Sequence, residues 1–124
     1  MSFCTAINCM DGRTQLPVNE FLREKYSVDY VDTITEAGPV RILAEDKESS
    51  LAKSITQRVD ISVNKHNSSL IAVVAHFDCA GNPLGKDEQL VQLKDAIEWL
   101  KEKYPSTNIL GLWVDPEWKV HHVL

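Results

Sequence analysis

The chain has 124 residues, 44% of them hydrophobic and 25% charged, with a net charge of −5. That length supports one core rather than two, and the acidic balance argues against a nucleic-acid partner, which needs clustered Lys and Arg. No apolar run approaches the ~20 residues of a membrane span, and Met1-Ser2-Phe3-Cys4 lacks the basic and apolar regions of a signal peptide.

Phe3 to Asn8 is short and mostly apolar, which predicts a buried first strand. Asp11-Gly12-Arg13 breaks it. Pro17 is placed to open a helix at its first position, where a missing N–H costs nothing, and Val18, Phe21, Leu22 and Tyr26 continue at helical spacing. Tyr30 to Ile34 alternates with β-branched residues and reads as a second strand, ended by Ala37-Gly38-Pro39. From Glu45 to Asn64, Leu51, Ile55, Val59 and Val63 fall four apart on one face of an amphipathic helix. Glu45, Asp46 and Glu48 at its start suit the helix dipole.

Leu70 to Ala75 is apolar throughout, the pattern of a strand buried on both faces in the middle of a parallel sheet. Gly81-Asn82-Pro83 and Gly85 form a loop. Asp87 is the expected N-cap of a helix running to about Tyr104, with Leu90, Leu93, Ile97 and Leu100 on one face. Ile109 to Val114 is a fourth strand, and Lys119 to Val123 returns antiparallel after the turn at Asp115-Pro116-Glu117. Strands alternating with helices predict an α/β fold: a single domain over residues 1–124, with a mainly parallel central sheet, helices on both faces and an antiparallel C-terminal edge strand.

The three cysteines are Cys4, Cys9 and Cys79. An odd number in a small chain does not suit a disulfide framework and points to a reducing, cytoplasmic setting. Cys9, His76 and Cys79 each follow a predicted strand, where open α/β sheets place their sites. Two thiols and one imidazole suit zinc with one coordination position left open. Cys4 stands roughly 17 Å from Cys9 along an extended strand, too far to share an ion, and is expected in the core. Asp11 and Arg13, two apart after the strand, can pair, with the Arg fork fixing the carboxylate. That carboxylate could accept a proton from a metal-bound water or ligate the metal as its fourth group. His121 and His122 point to opposite faces of a strand and cannot share a metal, and His66 sits in a polar loop. Trp99 is expected at a helix–sheet contact, and Trp113 and Trp118 at a subunit contact, where aromatic residues are enriched.

Cys9-x-Asp11-x-Arg13 followed by His76-x-x-Cys79 resembles the signature of the β-class carbonic anhydrases. Thr35-Glu36-Ala37-Gly38 falls where that family has an Ala-Gly segment after its second strand, and the likeness covers nearly the whole chain. The resemblance implies a doubly wound sheet in which Cys9, His76 and Cys79 hold Zn2+. It also implies that Asp11 and Arg13 act as a dyad that orients a zinc-bound hydroxide or closes the site. The implied reaction is hydration of carbon dioxide to bicarbonate in a homodimer or higher homo-oligomer, and the charge donated by two thiolate ligands predicts activity favoured at alkaline pH. The chain differs from the family pattern at Glu36 (Asn in the family), at Gly12 (Ser or Ala) and at Ala80, which precedes Gly81. It is also expected to lack the family's N-terminal helical arm. Other readings are a non-catalytic zinc-binding module, a hydrolase of carbonyl sulfide or carbon disulfide, and a thiol enzyme using Cys79.

Overall fold

A computed structural model describes residues 1–124. The chain runs β1 (Phe3–Cys9), α1 (Gly12–Tyr26), β2 (Tyr30–Glu36), α2 (Pro39–Glu45), α3 (Ser50–Lys65), β3 (Leu70–His76), α4 (Lys86–Lys103), β4 (Asn108–Val114) and β5 (Val120–His122). One sheet has the strand order β2-β1-β3-β4-β5. Its first four strands are parallel, and β5 pairs antiparallel with β4. All seven residues of β3 are buried, as its unbroken apolar run predicts.

Alternation along the strands builds two cores. Cys4 and Ala6 of β1, with Leu70, Ala72 and Val74 of β3, meet Val18 and Leu22 of α1 on one face. Ile7, Ile71 and Val73 meet Ile55 and Val59 of α3 and Leu93, Ile97 and Leu100 of α4 on the other. Gly111 in β4 lets α4 close onto the sheet. A Cβ there would stand 2.8 Å from Ile97 Cδ1 and 2.9 Å from Leu93 Cδ2. From β1 the chain moves to β2 on one side and later returns to β3 on the other. The carboxyl ends of β1 and β3 therefore flank the point where strand order reverses, the usual place for a crevice in such sheets.

Three predicted boundaries are corrected. Helix α1 begins at Gly12, five residues before Pro17, because the Asp11 side chain caps it by accepting the Arg13 backbone N–H at 2.9 Å. Pro17 lies inside the helix, where it removes one backbone bond. The segment after Gly38 is not only a break: Pro39 starts the short helix α2, with Gly38 at φ 64° as its N-cap. Helix α3 then starts at Ser50 and not at Glu45, because the Ser49 hydroxyl accepts the Ala52 N–H at 3.1 Å. The acidic residues at 45–48 thus precede α3 instead of forming its first turn. Its buried face is Ala52, Ile55, Val59 and Ser62, while Leu51 is exposed.

Asp87 is not the N-cap of α4 as expected: the helix begins at Lys86 with Gly85 at the N-cap position, and Asp87 lies in its first turn, where its charge suits the helix dipole. Trp113 is 3% exposed and belongs to the core, so its expected place at a subunit contact is wrong. Trp99 packs partly buried against that same core, as predicted.

The amino ends of the strands hold a separate polar knot. The Ser62 hydroxyl lies 2.6 Å from Thr5 Oγ1 and 2.7 Å from Ser68 Oγ, and it donates to Asp32 Oδ2 at 2.7 Å. His66 Nδ1 reaches the same carboxylate oxygen at 2.7 Å. These groups satisfy one another and tie the end of α3 to β1, β2 and β3.

Candidate metal centre

Cys9 ends β1, His76 ends β3, and Cys79 follows in the loop after β3. All three are buried, and one ligand atom from each lies within 4.8 Å of the others. The Cys9 and Cys79 sulfurs are 3.9 Å apart. That is far beyond a disulfide and close to the roughly 3.8 Å expected between two thiolates each ~2.3 Å from one tetrahedral ion. Cys4 is excluded from the group. It is fully buried, and desolvation, helped by the nearby Asp32 charge, pushes its thiol up to about 11.

The His76 imidazole presents one free ring nitrogen to the cluster. His76 Nδ1 donates to the Phe77 carbonyl at 2.7 Å, which leaves the Nε2 lone pair facing inward. Nε2 is buried and has no hydrogen-bond partner in the chain. An unpaired buried nitrogen is costly, and a cation between it and the two sulfurs would satisfy it. The donor set therefore fits a soft-to-borderline metal such as zinc. Burial opposes protonation of His76, but the Cys9 sulfur and the Phe77 carbonyl outweigh it, and the ring titrates above its ordinary value.

The two sulfurs lie within hydrogen-bonding distance of each other. That contact, helped by the backbone N–H groups of Gly38 and Asp11, lowers the Cys9 thiol against the cost of burial. Cys79 is pushed up by the same contact and by burial, which its own donors, the N–H groups of Gly81 and Asn82, only partly oppose. Four backbone donors around two sulfurs are an environment made for thiolates.

Close backbone packing sets this arrangement. A Cβ on Gly81 would stand 2.5 Å from the Ala37 carbonyl carbon, and one on Gly38 would stand 2.8 Å from the Gly81 carbonyl. The loops after β2 and β3 can touch only because neither glycine has a side chain. A tier of polar side chains braces the ligands. Asn8 Oδ1 accepts the Cys9 N–H at 2.8 Å, and Gln15 Nε2 donates to the Cys9 carbonyl at 2.6 Å. Gln89 Nε2 donates to the His76 carbonyl at 2.9 Å and the Leu84 carbonyl at 3.0 Å. Asn82 Nδ2 donates to Gln92 Oε1 at 2.7 Å. The sequence reading missed these residues. Their signal was Gln89 and Gln92, two polar side chains on the buried face of α4.

Asp11 and Arg13 form the expected pair. Arg13 Nε lies 3.0 Å from Asp11 Oδ1, and Nη2 lies 2.7 Å from Oδ2. This fork, with the backbone N–H of Arg13, holds the Asp11 carboxyl down to about 2. Asp11 is not among the three clustered ligand residues. His66, His121 and His122 are exposed and lie away from the cluster, with His121 Nε2 on Asp115 Oδ2 at 2.7 Å.

A family model described as "Putative carbonic anhydrase" matches residues 1–124. The chain belongs to this carbonic anhydrase family. Solved structures share its fold. A carbonic anhydrase from Glaciozyma antarctica is 16% identical, with TM-score 0.63, and the match covers 98% of this chain and 81% of that one. A mutant of the β-carbonic anhydrase CafD of Aspergillus fumigatus is 11% identical, with TM-score 0.63 and coverage of 100% and 90%. The β-carbonic anhydrase CafA of the same fungus is 14% identical, with TM-score 0.56 and coverage of 97% and 74%. No curated protein matches the chain. No helix is long and apolar enough to cross a membrane.

Proposed function

We propose that this chain is a zinc-dependent carbonic anhydrase that hydrates carbon dioxide reversibly to bicarbonate. Cys9, His76 and Cys79 would hold the metal. The observation that carries the reading is the buried, unpartnered His76 Nε2 beside two sulfurs at 3.9 Å, in a chain of the carbonic anhydrase family. Zinc bound to such a set supplies a nucleophile from water near neutral pH. Two thiolate ligands should make that water less acidic than three imidazoles would, so activity is proposed to rise toward alkaline pH.

The chain's own residues supply the rest. The backbone N–H groups of Gly38 and Asp11 near Cys9, and of Gly81 and Asn82 near Cys79, favour the thiolate forms. The Phe77 carbonyl fixes the imidazole tautomer. Arg13 orients the Asp11 carboxylate, which would accept a hydrogen bond from the reacting water at Oδ1 or Oδ2. An open cleft of about 480 Å³ beside Cys79, lined by Phe77, Leu84 and Trp113 together with Asp78 and Lys86, offers a small substrate an approach from solvent. Exposed Met10 and Phe77, beside the ends of β1 and β3, support assembly with a second copy as a homodimer or higher oligomer. Three free cysteines support a reducing, cytoplasmic setting.

Stopped-flow carbon dioxide hydration by zinc-loaded protein tests the reading. We expect activity that rises with pH, and an Asp11→Ala variant that keeps its zinc but loses at least ~10-fold in kcat. Zinc-loaded wild type with no hydration above the buffer rate would leave a non-catalytic zinc module instead.

A further inference from the structure

Arg13 has contacts on its edges and on one face. Its edges meet Asp11, the Asp78 carboxylate at 3.2 Å (Nη1) and the Asp78 carbonyl at 3.1 Å (Nη2). Its face lies on the Trp118 ring, with Cζ 4.2 Å from the ring centroid. Three separate loops, after β1, β3 and β4, thus converge on one guanidinium. The same indole stands 6.4 Å, centroid to centroid, from the His76 ring.

The backbone at Trp118 is unusual. The turn between β4 and β5 closes with the Trp118 N–H on the Asp115 carbonyl at 2.9 Å and the Asp115 N–H on the Lys119 carbonyl at 2.9 Å. Asp115 Oδ1 also accepts the N–H groups of Glu117 at 2.8 Å and Lys119 at 3.0 Å. This three-residue hairpin loop puts Trp118 at φ 63°, the left-handed position that glycine ordinarily fills. A bulky residue there is strained. The turn itself has no need of the indole, so something the indole touches must account for it.

We propose that Trp118 is a positioning residue for Arg13, and through Arg13 for the Asp11 carboxylate. The ring face keeps the guanidinium in the plane that reaches both Asp11 oxygens. Arg13 cannot swing away without leaving the ring, so the Asp11 carboxylate stays in its fork with the guanidinium. Its chemical consequence rests on the proposed zinc site: with Trp118 removed, Asp11 is free to turn and ligate the metal, closing the fourth position.

Three variants separate positioning from packing. Trp118→Gly suits the turn backbone and deletes the ring. Trp118→Leu keeps apolar bulk without a π face. Trp118→Phe keeps a face. The first readout, solvent exchange of the Arg13 Nε–H followed by NMR in metal-free protein, does not depend on the metal. We expect exchange to quicken by a factor of roughly 3 to 10 in the Gly and Leu variants, and the Phe variant to stay near wild type. The second readout is the visible spectrum of the Co2+-loaded protein. Azide should perturb it in wild type and the Phe variant, and no longer do so in the Leu variant. Equal Arg13 exchange in the Leu and Phe variants, or in Leu and wild type, would overturn the proposal. Failure of wild type to take up Co2+ would count against the metal site alone, and the exchange rates would still decide the role of Trp118.

Discussion

Replacing Gly81 with Ala would strain the metal centre without touching a ligand. Gly81 has no left-handed backbone, so alanine is tolerated conformationally and the whole effect comes from contact. The new Cβ would lie 2.5 Å from the Ala37 carbonyl carbon, 2.7 Å from its oxygen and 2.8 Å from the Gly38 nitrogen, all of them backbone atoms. The two loops would have to part by roughly 1 Å, and overpacking of this kind costs about 1–3 kcal/mol. The same loops carry the N–H donors of Gly38 to Cys9 and of Gly81 to Cys79. A metal site tolerates ligand shifts of only about 0.2 Å, and disturbing such supporting groups lowers affinity roughly 10- to 100-fold. Urea unfolding of metal-free protein gives the first quantity, and competition with a chromophoric zinc chelator gives the second. Gly12→Ala is the control, since a Cβ there meets nothing within 4 Å. Its helical position should make it neutral or stabilising by up to about 1 kcal/mol. A Gly81→Ala protein with unchanged stability and zinc affinity would refute the claim that contact between these loops builds the site.

Two further outcomes follow from the charge and burial of single residues. The Asp11 carboxyl is held down to about 2, from 3.8, so the stability it contributes is present above pH 3.8 and lost as pH falls through 2. In Arg13→Gln its NMR titration midpoint should rise toward 3.8, and an unmoved midpoint would show that the fork does not control it. Cys4, with its thiol pushed up to about 11, should resist alkylation in native protein at pH 8. Cys4→Ala should cost about 1 kcal/mol and leave zinc stoichiometry unchanged, whereas loss of zinc in that variant would mean that the ligand set is misassigned.

The sequence made the sheet legible where burial alone dictates the pattern. Leu70 to Ala75 and Ile109 to Val114 are apolar because both faces are covered. The Cys9, His76 and Cys79 cluster was legible for a related reason: metal-ligating chemistry is confined to a few residue types, and strand ends bring those types together. What stayed hidden depended on contacts between distant segments or on competition between local signals. Pro17 drew the start of α1 toward itself, but the Asp11 cap prevailed. Gly38-Pro39 reads equally as a strand stop and as a helix start, and the burial of Val40, Ile42 and Leu43 decided for the helix. Trp118 gave no sign of its partner, because Arg13 lies more than a hundred residues earlier and the left-handed turn that presents the indole carries no glycine.

The central claim is that Cys9, His76 and Cys79 hold one zinc ion. Elemental analysis of protein purified under reducing conditions without added metal tests it most directly. Close to one zinc per chain is predicted for wild type, and little or none for Cys79→Ser. Wild-type protein that carries no zinc and retains none after loading and dialysis, or a Cys79→Ser variant that holds zinc as wild type does, would contradict it.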